Sequence, residues 1–228
     1  MAIRELRCWE LLTPLVTAWI LIHAGAAFAA DADPIFDYCV ADSTQSSIFF
    51  NGLPCKDPST VTAADFTSTA FRAPGNTSNP LGIAIAVAAA GPGLPGLNTQ
   101  SLTLVRFEYA KDGGFVPLHI HPRASELITV TKGAVQVGFI DSSNKFFSTT
   151  LYKGDSFLFP RGLIHYQLSV SSSPAKSYSS LNSQNPGIVL LPPNLFGSTP
   201  SIPDIVLEKS FSLSKDEVDR IKASFGAS

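Results

Sequence analysis

GGFVPLHIHPRASELITVTKG, residues 113 to 133, is the stretch on which the reading of this chain turns. His119 and His121 alternate within it, Glu126 follows across a Pro122 to Ser125 turn, and Gly113 and Gly133 bound the frame. Residues two apart in a strand share a face, so PLHIH aims both imidazoles one way while Ile120 faces the other layer. Glu126 then opens the next strand beside them. An H-x-H pair alone serves equally well to line a polar sheet face. A second segment, GDSFLFPRGLIH (154 to 165), changes that balance, because it brings in His165 behind a rigid Phe159-Pro160-Arg161-Gly162 corner. Beyond the N-terminal leader, the chain's histidines are these three and no others. Imidazole nitrogens and a carboxylate oxygen suit a divalent transition metal such as Mn, Fe or Zn, and no thiolate in the set draws copper(I) or an iron–sulfur cluster. The pattern predicts one mononuclear metal ion held by His119, His121, Glu126 and His165.

Outward from this frame, Ser101 to Leu191 is a succession of short β-prone runs: LTLVRFEY, ELITVT, AVQVGFI, FFSTTLY, SFLF, IHYQLSV, YSSLN and IVLL. DGG, KG, DSSN, KGD, PRG and NPG separate them, and turn signals in place of helical segments indicate an all-β antiparallel sandwich or barrel. A jelly-roll barrel is the natural container for ligands donated by non-neighbouring segments. Upstream, Asp31 to about Ala73 is turn-rich and reads as an ordered extension carrying Cys39 and Cys55. APGNTSNP and AAAGPGLPGLN mark loops on either side of an apolar Ile83 to Ala90 stretch. Downstream, Ser214 and Glu217 form a reciprocal cap with Leu213 and Val218 as a hydrophobic staple. Val218, Ile221 and Phe225 then recur at helical spacing, so short C-terminal helices are expected, packed on the barrel or on a sister subunit. The expected segmentation is a signal peptide at 1–29, a disulfide-bearing extension at 30–75, the barrel at 76–205 and a helical tail at 206–228.

The leader carries Arg4 and Arg7, an apolar run from Leu11 to Ile22, and Ala27-Phe28-Ala29 as a small-x-small cleavage pattern, the layout of a secretory signal peptide cut after Ala29. The alternative, a membrane anchor, needs roughly 20 apolar residues, more than this run supplies. Cys8 leaves with the leader, and the remaining pair, Cys39 and Cys55, is expected to form a disulfide, two free thiols being the alternative. Asn76-Thr77-Ser78 is an N-glycosylation sequon. About 199 residues remain after the leader, enough for one substantial domain with extensions. Charged residues make up 15% of the chain and apolar ones 45%, with a net charge of −2. No basic run interleaves with aromatics, so the electrostatic footprint of a nucleic-acid binder is absent.

These segments resemble a known family. GGFVPLHIHPRASELITVTKGAVQVGFI is similar to the first conserved box of the cupin superfamily as it occurs in germins and germin-like proteins of plants, and KGDSFLFPRGLIHYQ to the second. SLNSQNPGIVLLPPNLFGS is similar to the segment that follows in germins, and PIFDYCVAD with PCKDP to their disulfide-bearing N-terminus. The resemblance implies a cupin β-barrel that binds one manganese ion through His119, His121, Glu126 and His165. It further implies homohexamers in the extracellular space of the plant apoplast and cell wall.

Two departures bear on activity. Oxalate-oxidising members carry pocket asparagines where this chain has Val105 and Val116. A site built to hydrogen-bond its substrate loses several kcal/mol when the polar partners vanish, so oxalate oxidation is not expected. Ser169 also replaces a usual asparagine four residues beyond the last ligand. The leading expectation is therefore superoxide dismutation at manganese, with a peroxide-generating role in defence or wall chemistry. Gln167, on the face of His165, is either a neighbour of the metal that serves as proton source or an ordinary barrel-lining residue. Two alternatives remain: an oxalate oxidase, and a wall-associated binding or structural protein whose metal stabilises the barrel.

Overall fold

The computed structural model describes residues 39–44, 52–91 and 93–226, so the leader expected at 1–29 lies outside the described residues. Its strands are β1 (Ile83–Ala88), β2 (Thr103–Tyr109), β3 (Phe115–Ile120), β4 (Glu126–Lys132), β5 (Ala134–Ile140), β6 (Phe146–Tyr152), β7 (Ser156–Phe159), β8 (Ile164–Ser169), β9 (Ala175–Leu181) and β10 (Val189–Leu190). They form two five-stranded sheets, in the orders β1-β2-β9-β4-β7 and β10-β3-β8-β5-β6. Each pairing is antiparallel. This is the all-β jelly roll that the spacing of short apolar runs predicted.

Alternation decides which side chains fill the space between the sheets. Val105, Phe107 and Tyr109 of β2, Ile128 and Val130 of β4, Val135 and Val137 of β5, and Ala175 and Leu181 of β9 all sit in one buried cluster. Their spacing of two is what a pleated strand needs to commit one face to a core. On the outer face Leu127 and Leu158 are exposed.

β3 departs from strict alternation where it matters most. Val116 pairs with Gln167 of β8 and His119 pairs with His165, three steps on one strand against two on the other. This one-residue bulge reverses the parity of β3, so that Val116, His119 and His121 are all buried in spite of the odd interval between the first two. Without the extra residue, either the valine or the histidines would face outward.

The N-terminal extension is tied down at two places. Cys39 and Cys55 form a disulfide with Cα atoms 4.8 Å apart, beside an isolated bridge between Ala41 and Cys55. Short 3-10 turns follow at Pro58–Thr60 and Ala63–Phe66, where Lys56 pairs with Asp65 at 2.8 Å. Arg106 points outward from β2 yet is buried, because its guanidinium donates to the carbonyls of Phe71 at 2.5 Å and Ala73 at 2.7 Å. Its charge is balanced by Glu108 at 3.2 Å. The extension thus covers the back of the β2 sheet.

At the C-terminus the structure corrects one strand. The sequence IVLL suggests an extended run throughout, but only Val189 and Leu190 pair with β3, and α1 (Leu191–Phe196) begins at the next residue. Pro192 and Pro193 fall in the first turn of that helix, where a missing N–H is no loss and a fixed φ is an advantage. α2 (Asp204–Phe211) has no side-chain cap, whereas α3 (Lys215–Ser224) starts at Ser214 with the reciprocal Glu217 cap that the sequence predicted. Lys222 of α3 reaches back to the Ile202 carbonyl at 2.6 Å and Asp204 at 2.7 Å, joining the two helices. No helix among the described residues is long and apolar enough to cross a membrane.

Closing a loop of this length removes freedom from the unfolded chain worth about 3 kcal/mol on the chain-entropy view. A Cys39→Ala/Cys55→Ala protein should therefore be less stable by about that amount. Equilibrium denaturation in urea should show a lower midpoint for the N-terminal segment, with the barrel's own circular dichroism unchanged.

Candidate metal centre

Four side chains from three strands and one turn meet at one end of the barrel. His119 closes β3, His121 follows it, Glu126 opens β4 and His165 lies at the start of β8. All four are buried, and one ligand atom from each lies within 4.8 Å of the others. The imidazole of His165 faces the other two, with ring centroids 4.0 Å from His119 and 5.4 Å from His121. Phe159 stacks on it at 4.4 Å and holds its plane.

Each imidazole is oriented by the main chain. His119 Nδ1 meets the Pro117 carbonyl at 2.8 Å, His165 Nδ1 meets Leu163 at 2.8 Å, and His121 Nδ1 meets Gly187 at 2.5 Å. A carbonyl only accepts, so Nδ1 carries the proton in all three rings and, in a neutral ring, Nε2 presents a lone pair. Gly187 has a left-handed φ of 66°. That conformation favours glycine, and a Cβ there would come within 2.8 Å of the Arg123 guanidinium and push it aside. Arg123 in turn grips Asn185 through its carbonyl at 2.6 Å and its side-chain oxygen at 2.9 Å. The result is a small collar that keeps the Gly187 carbonyl on His121.

Glu126 Oε2 lies 3.0 Å from His121 Nε2 and 3.4 Å from His165 Nε2. Both Glu126 Oε2 and His165 Nε2 are buried without a hydrogen-bond partner. Native interiors rarely leave such atoms unsatisfied, and two of them facing each other within a histidine cluster mark a place that suits a cation. The residues present therefore fit a divalent metal. The other oxygen of Glu126 is fully engaged, accepting from Gln167 Nε2 at 2.9 Å and Ser179 Oγ at 2.6 Å.

Burial alone would push the Glu126 carboxyl up, but the imidazoles of His121 and His165 facing it outweigh that and hold it well below the usual carboxylate range. Burial, reinforced by neighbouring His165, drives His119 down to about 4, so this ring stays neutral and ready to ligate. Burial also acts downward on His121, yet hydrogen bonding and charge from Glu126 reverse the sign and raise it. Glu126 Oε2 thus favours the protonated form of His121, so protons and a cation would compete for this ring.

The sequence singled out Gln167 but missed three of its companions. Tyr109, Ser177 and Ser179 are all buried within reach of the Glu126 side of the site. The signal for the serines was available in AKSYSSL, whose alternation puts Ser177 and Ser179 on the core face. Ser169 is buried on the same face as His165 and Gln167, with its hydroxyl unpartnered. Val105 and Val116 belong to the buried apolar cluster, and their side chains have no hydrogen-bonding group to offer.

Barrel and site together define a cupin, and residues 69–219 match the cupin family model. Germin-like protein subfamily 2 member 1 of Arabidopsis thaliana is 44% identical over 216 residues, spanning 93% of this chain and 97% of its own. Nectarin-1 of Nicotiana langsdorffii x Nicotiana sanderae is 44% identical over 198 residues, spanning 87% and 84%. A solved structure of recombinant oxalate oxidase in complex with glycolate superimposes with a TM-score of 0.82 at 40% identity, covering 86% of this chain and 98% of that one. The chain belongs to the germin-like family of cupins.

Because Glu126 biases His121 toward its protonated form, metal loading should compete with protons. Titrating Mn(II) into the chelated protein near neutral pH, in buffers of differing ionisation enthalpy, should reveal proton release, and affinity should fall as pH is lowered. A Gly187→Ala substitution, which dislodges Arg123 from the His121 collar, should weaken Mn(II) binding by about 10-fold.

Proposed function

We propose that this chain is a secreted manganese protein of the plant apoplast and cell wall that dismutates superoxide, turning two superoxide anions and two protons into dioxygen and hydrogen peroxide. The observation that carries the reading is the buried convergence of three imidazoles and the Glu126 carboxylate, with one ligand atom of each within 4.8 Å of the others. Manganese at that point, held by His119, His121, Glu126 and His165, would supply the one-electron chemistry. A carboxylate in the ligand set lowers the net charge of the centre, and the donors on its second oxygen set how strongly it donates. Of the four ligands His121 is the most exposed, at 8% against 1% for each of the others, so small anions and water approach from its side. Gln167 is engaged with Glu126, which favours an orienting role for it and leaves water on the His121 side as the source of protons.

Superoxide needs no elaborate pocket, which agrees with the apolar side chains at Val105 and Val116, both packed in the core. The likeness to oxalate oxidase favours a second reading, oxidation of a small dicarboxylate, for which the same ligands would serve. The two valines count against it, since neither can hydrogen-bond a carboxylate. In a third reading the metal only stabilises the barrel of a wall-associated protein.

Three further features fit an extracellular oligomer. The Cys39–Cys55 disulfide suits an oxidising compartment. Asn76 is exposed and available for glycosylation. Ile205, Val206 and Phe211 of α2 are exposed apolar side chains of the kind that subunit contacts cover, in keeping with a hexamer.

Manganese-loaded protein should consume superoxide, and a His121→Ala variant should lose that activity along with its metal. Added oxalate should produce no peroxide. Oxalate-dependent peroxide would favour the second reading, and intact metal with neither activity the third.

A further inference from the structure

Behind the ligand set, away from solvent, four polar side chains form a single line of hydrogen bonds. Ser177 Oγ lies 3.0 Å from Tyr109 Oη, Tyr109 Oη contacts Gln167 Oε1, and Gln167 Nε2 lies 2.9 Å from Glu126 Oε1. Tyr109, Gln167 and Ser177 have no exposed surface at all. Nothing in the ligand pattern requires a tyrosine here, and a phenylalanine would fill the same volume. Chemistry fixes the direction of each bond. Glu126 is a carboxylate and only accepts, so the amide of Gln167 must turn its NH2 toward it. The amide oxygen then faces Tyr109, which must donate its one proton there. Ser177 is left as donor to the phenol oxygen. All the donors point the same way, toward Glu126 Oε1, and such aligned bonds reinforce one another in a dry interior.

We infer that Tyr109 is a positioning residue: anchored by Ser177, it locks the Gln167 amide in the orientation that donates to Glu126 Oε1, and so sets the electron donation of Glu126 Oε2 to the metal. If the amide were free to turn over, its carbonyl would face the carboxylate edge and repel it. A donor on Oε1 draws charge away from Oε2 and favours the lower oxidation state of a bound ion. This line of side chains therefore holds the redox potential of the site up. The inference rests on the manganese reading above and deepens it by naming what tunes the metal.

The test uses full-length, manganese-loaded protein and compares wild type with Tyr109→Phe, Gln167→Leu and the double variant. Two readouts independent of turnover are taken: the Mn(II) electron paramagnetic resonance spectrum and the Mn(III)/Mn(II) midpoint potential from a mediated redox titration. Tyr109→Phe should keep the ring packing and the bound metal, yet change the Mn(II) fine structure and shift the potential downward. Gln167→Leu should shift it in the same direction. The double variant should go no further than Gln167→Leu alone, because the tyrosine acts only through the amide. Ser177→Ala, which frees Tyr109 without touching the metal's surroundings, should give a smaller shift of the same sign. A wild-type protein that takes up no manganese would overturn the functional reading itself. Bound manganese whose spectrum and potential are the same in Tyr109→Phe as in wild type would overturn this inference alone, as would shifts that simply add in the double variant.

Discussion

A carboxylate sealed from water must have its charge answered from within the fold, and Glu126 is that carboxylate. With 1% of its surface exposed, it cannot be left as an isolated anion, since the desolvation cost of an unpaired buried charge exceeds what any neighbouring apolar contact returns. The barrel answers on both sides. Two neutral hydrogen-bond donors, Gln167 and Ser179, take one oxygen, and the imidazole side takes the other. The second answer is incomplete in the protein alone, because His165 Nε2 faces Glu126 Oε2 at 3.4 Å with no hydrogen bond between them. A divalent cation would complete it, and metal binding would then be coupled to the stability of this end of the barrel.

Much of this was legible before any coordinates, and the reason is periodicity. His119, His121 and His165 stand within short runs whose residues alternate, and alternation in a strand is a statement about faces. The cap at Ser214 and Glu217 was equally plain, because it depends on two side chains and the backbone between them. What stayed hidden has a common cause: it depends on register between strands far apart in the chain. Tyr109 reads as one more aromatic in LTLVRFEY until β2 is laid against β9 and its hydroxyl falls beside Ser177. The bulge in β3 is invisible for the same reason, since an extra residue on one strand is defined only by the strand it pairs with. The lost strand at Leu191 is a different failure. Apolar character in IVLL suited either structure, and the two prolines that follow settled it in favour of a helix.

The bulge also explains how one barrel can hold an apolar core and a polar site without a boundary layer. Val116 sits in the apolar cluster and His119 in the ligand set, only three residues apart on the same strand. A regular strand would have needed an even interval to bury both. The extra residue lets one strand give Val116 to the apolar core and His119 to the ligand set, so buried hydrocarbon lies close to the imidazoles and lowers the dielectric around them. That low dielectric keeps His119 neutral, and it magnifies the effect of each donor on Glu126.

Two kinds of support therefore meet at one point, and they differ in what they permit. The three imidazoles are oriented by backbone carbonyls of Pro117, Leu163 and Gly187, groups that no substitution of a side chain removes directly. The carboxylate is oriented by side chains, those of Gln167 and Ser179, with Tyr109 and Ser177 behind them. Changes at these latter positions alter the electron density of one ligand while the geometry of the other three persists. A scaffold arranged in this way can keep its metal and change what the metal does, which is how one barrel comes to carry several chemistries.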